Sequence, residues 1–309
     1  MEIIFALLIA LALDLAIGEP PNGWHPVAWL GKLISLEIEI SPKKGGARQL
    51  AYGIGMVLVT LGIVVTALYF ALAYLKEAST VAYVIALGIL LKSTFSLRGL
   101  KQAAHTVKKL LNQGDLIRAR ISMRALVSRD TAELSQDQMV SATVESAAEN
   151  TCDSFVAPLF YFLLFGLPGA IAYRIVNTFD AMVGYHGEWE YLGKFAARLD
   201  DVANIIPARL TALFIVLATW ICKRNVSQAW QVMLRDHKKT QSPNAGWTMS
   251  AIAGALGIQL EKTGQYRLGD SHYPLSLDAI DASLRVVTVT TAIWSLVIVL
   301  AEVIYIVAT

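Results

Sequence analysis

The stretch ESAAENTCD at 145–153 sets Glu145, Glu149, Asn150 and Asp153 directly before an apolar run. Glu145 and Glu149 are four apart, so on a helix they share a face, and Asp153 falls near the same side just past its end. Hard oxygen donors at this spacing suit Mg²⁺ holding a phosphate, with Glu145, Glu149 and Asp153 as the expected ligands. The alternative is a solvated helix face. A second set joins YRIVNTFDAMVGY at 173–185 to RLDDVAN at 198–204. It offers Arg174, Asn177, Asp180 and Tyr185, then Arg198, Asp200, Asp201 and Asn204. Paired acidic clusters of this kind can hold a diphosphate through metal; equally, they can cap helices or pair with Arg174, Arg198 and Arg209.

Two smaller sets flank these. GEPPNGWHPV at 18–27 forces a turn through its Gly and Pro residues and presents His25 as a phosphate donor or proton carrier, or as a structural histidine. RDHKKTQSPNAG at 235–246 gathers Arg235 and His237 before Ser242 and Asn244 in a tight turn that opens a helix-like run. A helix start exposes N–H groups to anions; otherwise this is a basic loop that orients the protein. No Walker P-loop, dinucleotide fingerprint, zinc spacing or serine elbow accompanies them. Chemistry alone therefore points to a membrane protein that handles a phosphorylated ligand with Mg²⁺.

The elements that must position these groups are helices in a bilayer. The chain has 309 residues, 55% apolar and 16% charged, with mean hydropathy +0.53; ordinary soluble domains are about 25% charged. A net charge of +2 gives no reason to expect nucleic acid. Cys152 and Cys222 cannot build a disulfide framework. Residues 49–75, 78–91, 154–173 and 286–301 are free of charge, 203–222 holds only Arg209, and 3–17 holds Asp14. The N-terminus lacks a basic leader, so 3–17 is expected to be a retained segment. Because only helices or closed barrels satisfy their backbone in lipid, the expected fold is all-α: a polytopic integral membrane protein with five or six membrane segments and cytoplasmic helical loops. The hairpin 49–91 is followed by helices over 93–112 and 116–128, the latter capped by Asp115. Ser135 and Gln138 have capping-box spacing and start a helix to about Thr151. Residues 259–278 are expected to be an irregular polar loop. Lys and Arg number nine in 92–150, eight in 223–285 and three in 174–208. The positive-inside rule places the first two regions in the cytoplasm, giving one membrane-embedded domain over 1–309 with a cytoplasmic helical insertion at about 93–152 and a polar cytoplasmic loop at about 223–285.

These constellations, in this order, resemble the CobD/CbiB family, the adenosylcobinamide-phosphate synthases of cobalamin biosynthesis. The resemblance rests on DLAIGEP at 14–20, HPV at 25–27, RDT at 129–131, ESAAENTCD with Ala157 and Pro158 behind it, and YRIVNTFDAMVGY. It continues through RLDDVAN running on to Pro207, Ala208, Arg209 and Leu210, and ends with SPNAG at 242–246 and AGALG at 253–257. It covers nearly the whole chain. The departure is WTMS at 247–250, where a Pro-Glu-like pair is expected. The resemblance implies an acid-amine ligase of the cytoplasmic membrane that joins (R)-1-amino-2-propanol phosphate to a propionate carboxylate of adenosylcobyric acid. ATP would be co-substrate, Mg²⁺ the cofactor and the corrinoid the substrate, with other membrane enzymes of late cobalamin assembly as partners. It implies catalytic roles for Glu145, Glu149, Asp180, Asp200 and Asp201. It implies substrate binding by Asp14, His25, Arg129, Asn150, Arg174, Asn177, Tyr185, Arg198, Asn204, Arg235, His237, Ser242 and Asn244. The competing readings are a prenyl or phosphoalcohol transferase using two acidic clusters, and a transporter with Asp14 and broken segments on the ion path.

Two expectations concern depth. A carboxylate in an apolar segment is costly unless paired, neutral or near water, so Asp14 should face His25 or an arginine of another motif. The Pro and Gly residues within 154–173 make a plain spanning helix there doubtful, so 174–208 should fold back and all four constellations should line one cavity open to the cytoplasm.

Overall fold

The computed structural model describes residues 1–308 apart from 22, 186 and 188. Helices occupy nearly all of it: α1 (Glu2–Ala16), α2 (Pro26–Glu39), α3 (Gly46–Ala78), α4 (Thr80–Lys92), α5 (Leu97–Asn112), α6 (Leu116–Met123) and α7 (Gln136–Thr151). A π-helical turn at Cys152–Val156 leads into α8 (Ala157–Val183), then α9 (Glu190–Ala203), α10 (Ile205–Ile221), α11 (Val226–Asp236), α12 (Ala245–Leu256) and α13 (Leu277–Ala308). The protein is an all-α polytopic membrane protein. Four helical runs are long and apolar enough to cross a bilayer, Gly46–Ala78, Thr80–Asn112, Gln136–Val183 and Leu277–Ala308, with α9 and α10 together a possible fifth. α1 spans only about 22 Å at 1.5 Å per residue, short of the hydrocarbon thickness. On α3, Leu58, Val59, Ile63 and Phe70 are each more than half exposed, a face that only lipid would cover favourably.

Local signals hold where the sequence wrote them plainly. Ser79 separates α3 from α4 and accepts a hydrogen bond from the Ala82 N–H. Asp115 caps α6 through the Arg118 N–H, and Ser135 and Gln138 close a reciprocal capping box on α7. Two expectations are corrected. α6 stops at Met123 rather than 128, and the residues after it are tied back by the Thr131 hydroxyl to the Arg120 carbonyl and by Arg120 Nε to the Leu134 carbonyl. The loop expected at 259–278 contains an antiparallel hairpin, β1 (Leu260–Lys262) with β2 (Tyr266–Leu268), in the register Leu260 to Leu268. Strands of three residues are too short to display an alternation in sequence.

The chain divides into two compact units: Met1–Ser96, Ala157–Asn204 and Val299–Thr309 form the first; Leu97–Val156 and Ile205–Ile298 form the second. In the first, Ile34, Met56, Val57, Ile175, Phe179 and Leu192 make a core between α2, α3, α8 and α9. In the second, α7 lies almost wholly buried, packed with α5, α12 and the hairpin around Met139, Val144, Ile252 and Leu260. The segments expected as an insertion and a polar loop fall largely in this second unit, together with the apolar α10.

α8 is not one straight rod. Gly166 sits at φ 64°, ψ −161°, a conformation open in practice only to glycine, and Pro168 starts the next turn. Tyr161 and Tyr173 flank the break and stack with ring centroids 5.3 Å apart. An unbroken helix would set their Cα atoms about 18 Å apart.

Candidate functional site

In the first unit, one polar cluster forms where α1, α2 and α4 end or begin. Asp14 is 1% exposed and Lys92 5%. The Lys92 ammonium donates to Glu19 Oε1 at 2.7 Å and to the Phe95 carbonyl at 3.1 Å, and it forms an ion pair with Asp14 Oδ1 3.2 Å away. His25 starts α2: its Nδ1 accepts from the Val27 N–H at 3.1 Å, so Nε2 carries the proton and donates to Glu19 Oε2 at 2.6 Å. Burial alone would raise the Glu19 carboxyl, but hydrogen bonds from His25, Lys92 and Ser96 outweigh it and hold it at about 2. The expected partner of Asp14 is thus corrected: it is Lys92, with His25 reached through Glu19. Lys92 was legible only as the first charge after the apolar run 78–91.

The second cluster lies between α8 and α9. Asn177 Nδ2 donates to Asp200 Oδ1 at 3.2 Å, Asn204 Nδ2 to Asp200 Oδ2 at 2.9 Å, Tyr173 Oη to Asn204 Oδ1 at 2.9 Å and Arg174 to Asn177 Oδ1 at 3.3 Å. Asp200 and Asn204, four apart, share the face of α9 turned to α8. Both oxygens of this buried carboxylate are held by amides, so its direction is set before any ligand arrives. Asp201, next along the helix, is half-buried and 3.8 Å from the exposed Arg198. Asp180 is half-buried near the end of α8, and Tyr185 beyond it is exposed.

In the second unit, Glu145 is buried and pinned. Oε1 accepts from the Ser141 hydroxyl at 2.6 Å, Oε2 from the Tyr266 hydroxyl at 2.9 Å, and an Arg129 nitrogen lies 3.9 Å away. Ser141 itself accepts the Glu261 N–H at 2.8 Å, so the hairpin locks α7 in place. Burial, then the Glu145 charge, raises the Tyr266 hydroxyl well above its usual range and keeps it a donor. Arg129 Nε is buried without a hydrogen-bond partner, which leaves a cationic donor for an anion. Glu149, Asn150 and Asp153 are half-buried. Asn150 is anchored to Ser146 and accepts from Ser154. A π-helical turn follows α7 at Cys152–Val156, a feature frequent at functional sites. The solvated-face alternative fails for Glu145. Among the described residues, no three His, Cys, Asp or Glu side chains converge as a metal cage, so Glu145, Glu149 and Asp153 do not form one by themselves.

The fourth constellation, also in the second unit, is reorganised. Arg235 bonds both Asp236 oxygens at 2.8 Å and Asp270 at 3.1 Å. Asp236 is fully buried and also takes Lys239 at 2.6 Å and the Gly269 N–H at 2.8 Å. Burial would raise its carboxyl; these partners lower it to about 2. Arg235 is therefore engaged in fixing α11 to the loop after β2. The N–H groups of Asn244 and Ala245 are already taken by the Ser242 hydroxyl, so the start of α12 offers less to an anion than expected. Gly246 lets α12 approach α11: a Cβ there would lie 2.2 Å from the His237 carbonyl. Trp247, the departure from the expected pattern, lies against the His237 ring at 3.9 Å between centroids and within 5.0 Å of the Arg209 guanidinium. Arg209 also reaches Asn244 Oδ1 at 3.2 Å. His237 Nδ1 faces the carbonyls of Met233 and Leu234, which leaves Nε2 the acceptor nitrogen.

The sequence comparisons agree with one another. A family described as CobD/Cbib protein matches residues 7–296. The chain is 50% identical to "Cobalamin biosynthesis protein CobD" of Dehalococcoides mccartyi, over 96% of each chain. It is 41% identical to "Probable cobalamin biosynthesis protein CobD" of Methanothermobacter thermautotrophicus over 96% of this chain and 97% of that one. It is 34% identical to "Cobalamin biosynthesis protein CobD" of Citrobacter koseri over 94% of both. No solved structure matches.

Proposed function

The chain belongs to the CobD/CbiB family and is a cobalamin biosynthesis protein, and from that premise we propose that it is an adenosylcobinamide-phosphate synthase. It would join the amine of (R)-1-amino-2-propanol phosphate to a propionate carboxylate of adenosylcobyric acid at the expense of ATP. The reading is carried by the half-buried Arg129, whose buried Nε has no hydrogen-bond partner among the described residues, beside the pinned Glu145, on the same structural unit as the oxygen donors Glu149, Asn150 and Asp153.

A carboxylate is a poor acyl donor. Attack of a propionate oxygen on the γ-phosphorus of ATP breaks the β–γ P–O bond, releases ADP and gives an acyl phosphate. The amine nitrogen then attacks the carbonyl carbon, the C–N bond forms, the C–O bond to phosphate breaks, phosphate leaves and the nitrogen gives up a proton. The protein's share is to hold anions and position the nucleophile. Glu149, Asn150 and Asp153 fit a Mg²⁺ that keeps water and phosphate ligands and takes only one or two carboxylates. That ion would neutralise charge developing on the transferred phosphoryl. Arg129 donates to a phosphate oxygen. His237, with Nδ1 held by carbonyls, offers Nε2 to the departing amine proton.

The test is mass spectrometry of the products formed by the purified, membrane-reconstituted chain from adenosylcobyric acid, aminopropanol phosphate and Mg-ATP. The amide mass should appear and vanish when ATP or Mg²⁺ is left out. A folded preparation giving no amide under these conditions would exclude this activity.

A further inference from the structure

In the second unit, away from the networks above, a groove of about 600 Å³ runs between α5, the end of α10 and the start of α13. Its floor includes Leu284 and Val289, and its rim carries Lys101, His105 and Arg285. Lys223 and Arg224 follow Cys222, which also lines it. The one acid on the groove, Asp281, is already shared by Lys108 and His105. Among the described residues, Lys101, Lys223, Arg224 and Arg285 form no ion pair with any carboxylate. An apolar floor beneath uncompensated cations is complementary to an anionic amphiphile.

Position in the chain identifies which one. α10 ends in Trp220 and Ile221, 68% and 49% exposed, one residue before Lys223 and Arg224. Arg285 directly precedes the charge-free run 286–301. Interfacial Trp and flanking Lys/Arg mark the headgroup level of a bilayer. Exposed Leu213 and Leu217 on α10 and Leu296 on α13 lie on the apolar side of that level, where acyl chains would run. We propose that this groove is a binding site for an anionic glycerophospholipid, its phosphate met by Lys101 and Arg285 and its chains lying along α10 and α13. No residue of the groove belongs to the proposed synthase site, so the inference stands or falls separately from that activity.

The experiment is native mass spectrometry of the full chain released from nanodiscs, comparing phosphatidylglycerol with phosphatidylcholine. Wild type should retain phosphatidylglycerol preferentially. Each cation removed should weaken that binding roughly fivefold, and the pair Lys101→Gln/Arg285→Gln about 25-fold, given what each basic residue near a charged surface contributes. Phosphatidylcholine retention should stay unchanged, and Arg285→Lys should retain phosphatidylglycerol, which separates loss of charge from loss of fold. Equal retention of the two lipids by wild type would overturn the proposal. So would undiminished phosphatidylglycerol binding in the double variant, or its displacement by millimolar inorganic phosphate, which would mark a site for soluble phosphate instead.

Discussion

Tyr161 stacks on Tyr173 with ring planes 14° apart, although Gly166 and a change of helix direction lie between them. The hydroxyls of the two rings bond the end of α9, at the Ala203 carbonyl and the Asn204 side chain. The break in α8 is therefore part of how the Asp200 network is built. Gly166→Ala places a Cβ in a backbone region reserved for glycine and should cost about 1–3 kcal/mol. Thermal unfolding in detergent should show a lowered Tm; an unchanged Tm would mean that the backbone at 166 relaxes without penalty.

Lys92 holds Asp14 and Glu19 together deep in the first unit. Lys92→Met removes the cation and leaves the almost fully buried Asp14 carboxylate without this counter-charge. Breaking a buried pair from one side costs about 3–5 kcal/mol. The double variant Lys92→Met/Asp14→Asn should recover part of that loss, as measured by chemical denaturation. Additive effects of the two substitutions would show that they are not energetically coupled.

Acid should loosen the protein through two carboxylates. Glu19 and Asp236 are each held at about 2 in the folded state, below their ordinary 4.5 and 3.8. A lowered folded-state pKa contributes stability that is complete above the unfolded value and is lost as pH falls through the folded one. Stability should thus decline from about pH 4.5 down to about pH 2, and less steeply in Glu19→Gln and Asp236→Asn. The comparison is a set of unfolding midpoints across that range; parallel curves for wild type and both variants would rule the two groups out as its source.

The acids of α7 should divide by role. Glu149→Gln is expected to abolish amide formation while leaving Tm close to wild type, because Glu149 is half-buried and a proposed metal ligand. Tyr266→Phe removes one of the hydrogen bonds that fix Glu145 and should cost about 1–2 kcal/mol of stability with a smaller loss of turnover. Product formation and Tm measured on both variants decide it: normal turnover in Glu149→Gln would reduce that acid to a polar helix face.

Much of the secondary structure was legible because it depends on short-range chemistry. Asp115, Ser135 and Gln138 announce helix starts through bonds spanning three residues. Charge-free runs announce membrane helices, since lipid excludes unpaired charge. The clusters at 145–153, 173–185 and 198–204 stood out for the same reason, as ionisable groups crowded against apolar segments, and their order along the chain carried the family. Which partner each group meets was not legible. Lys92 bonds Glu19 across 73 residues, Tyr266 bonds Glu145 across 121, and Arg235 bonds Asp270 across 35. The sequence displays the charge of Arg235 but not the way the buried Asp236 and the half-exposed Asp270 engage it. The family, the helical membrane fold and the set of polar residues are determined by the sequence, because residue type and local spacing suffice for them. Which partner each acid meets is decided only when packing brings distant helices together, for burial and hydrogen-bond partners are properties of the assembled core.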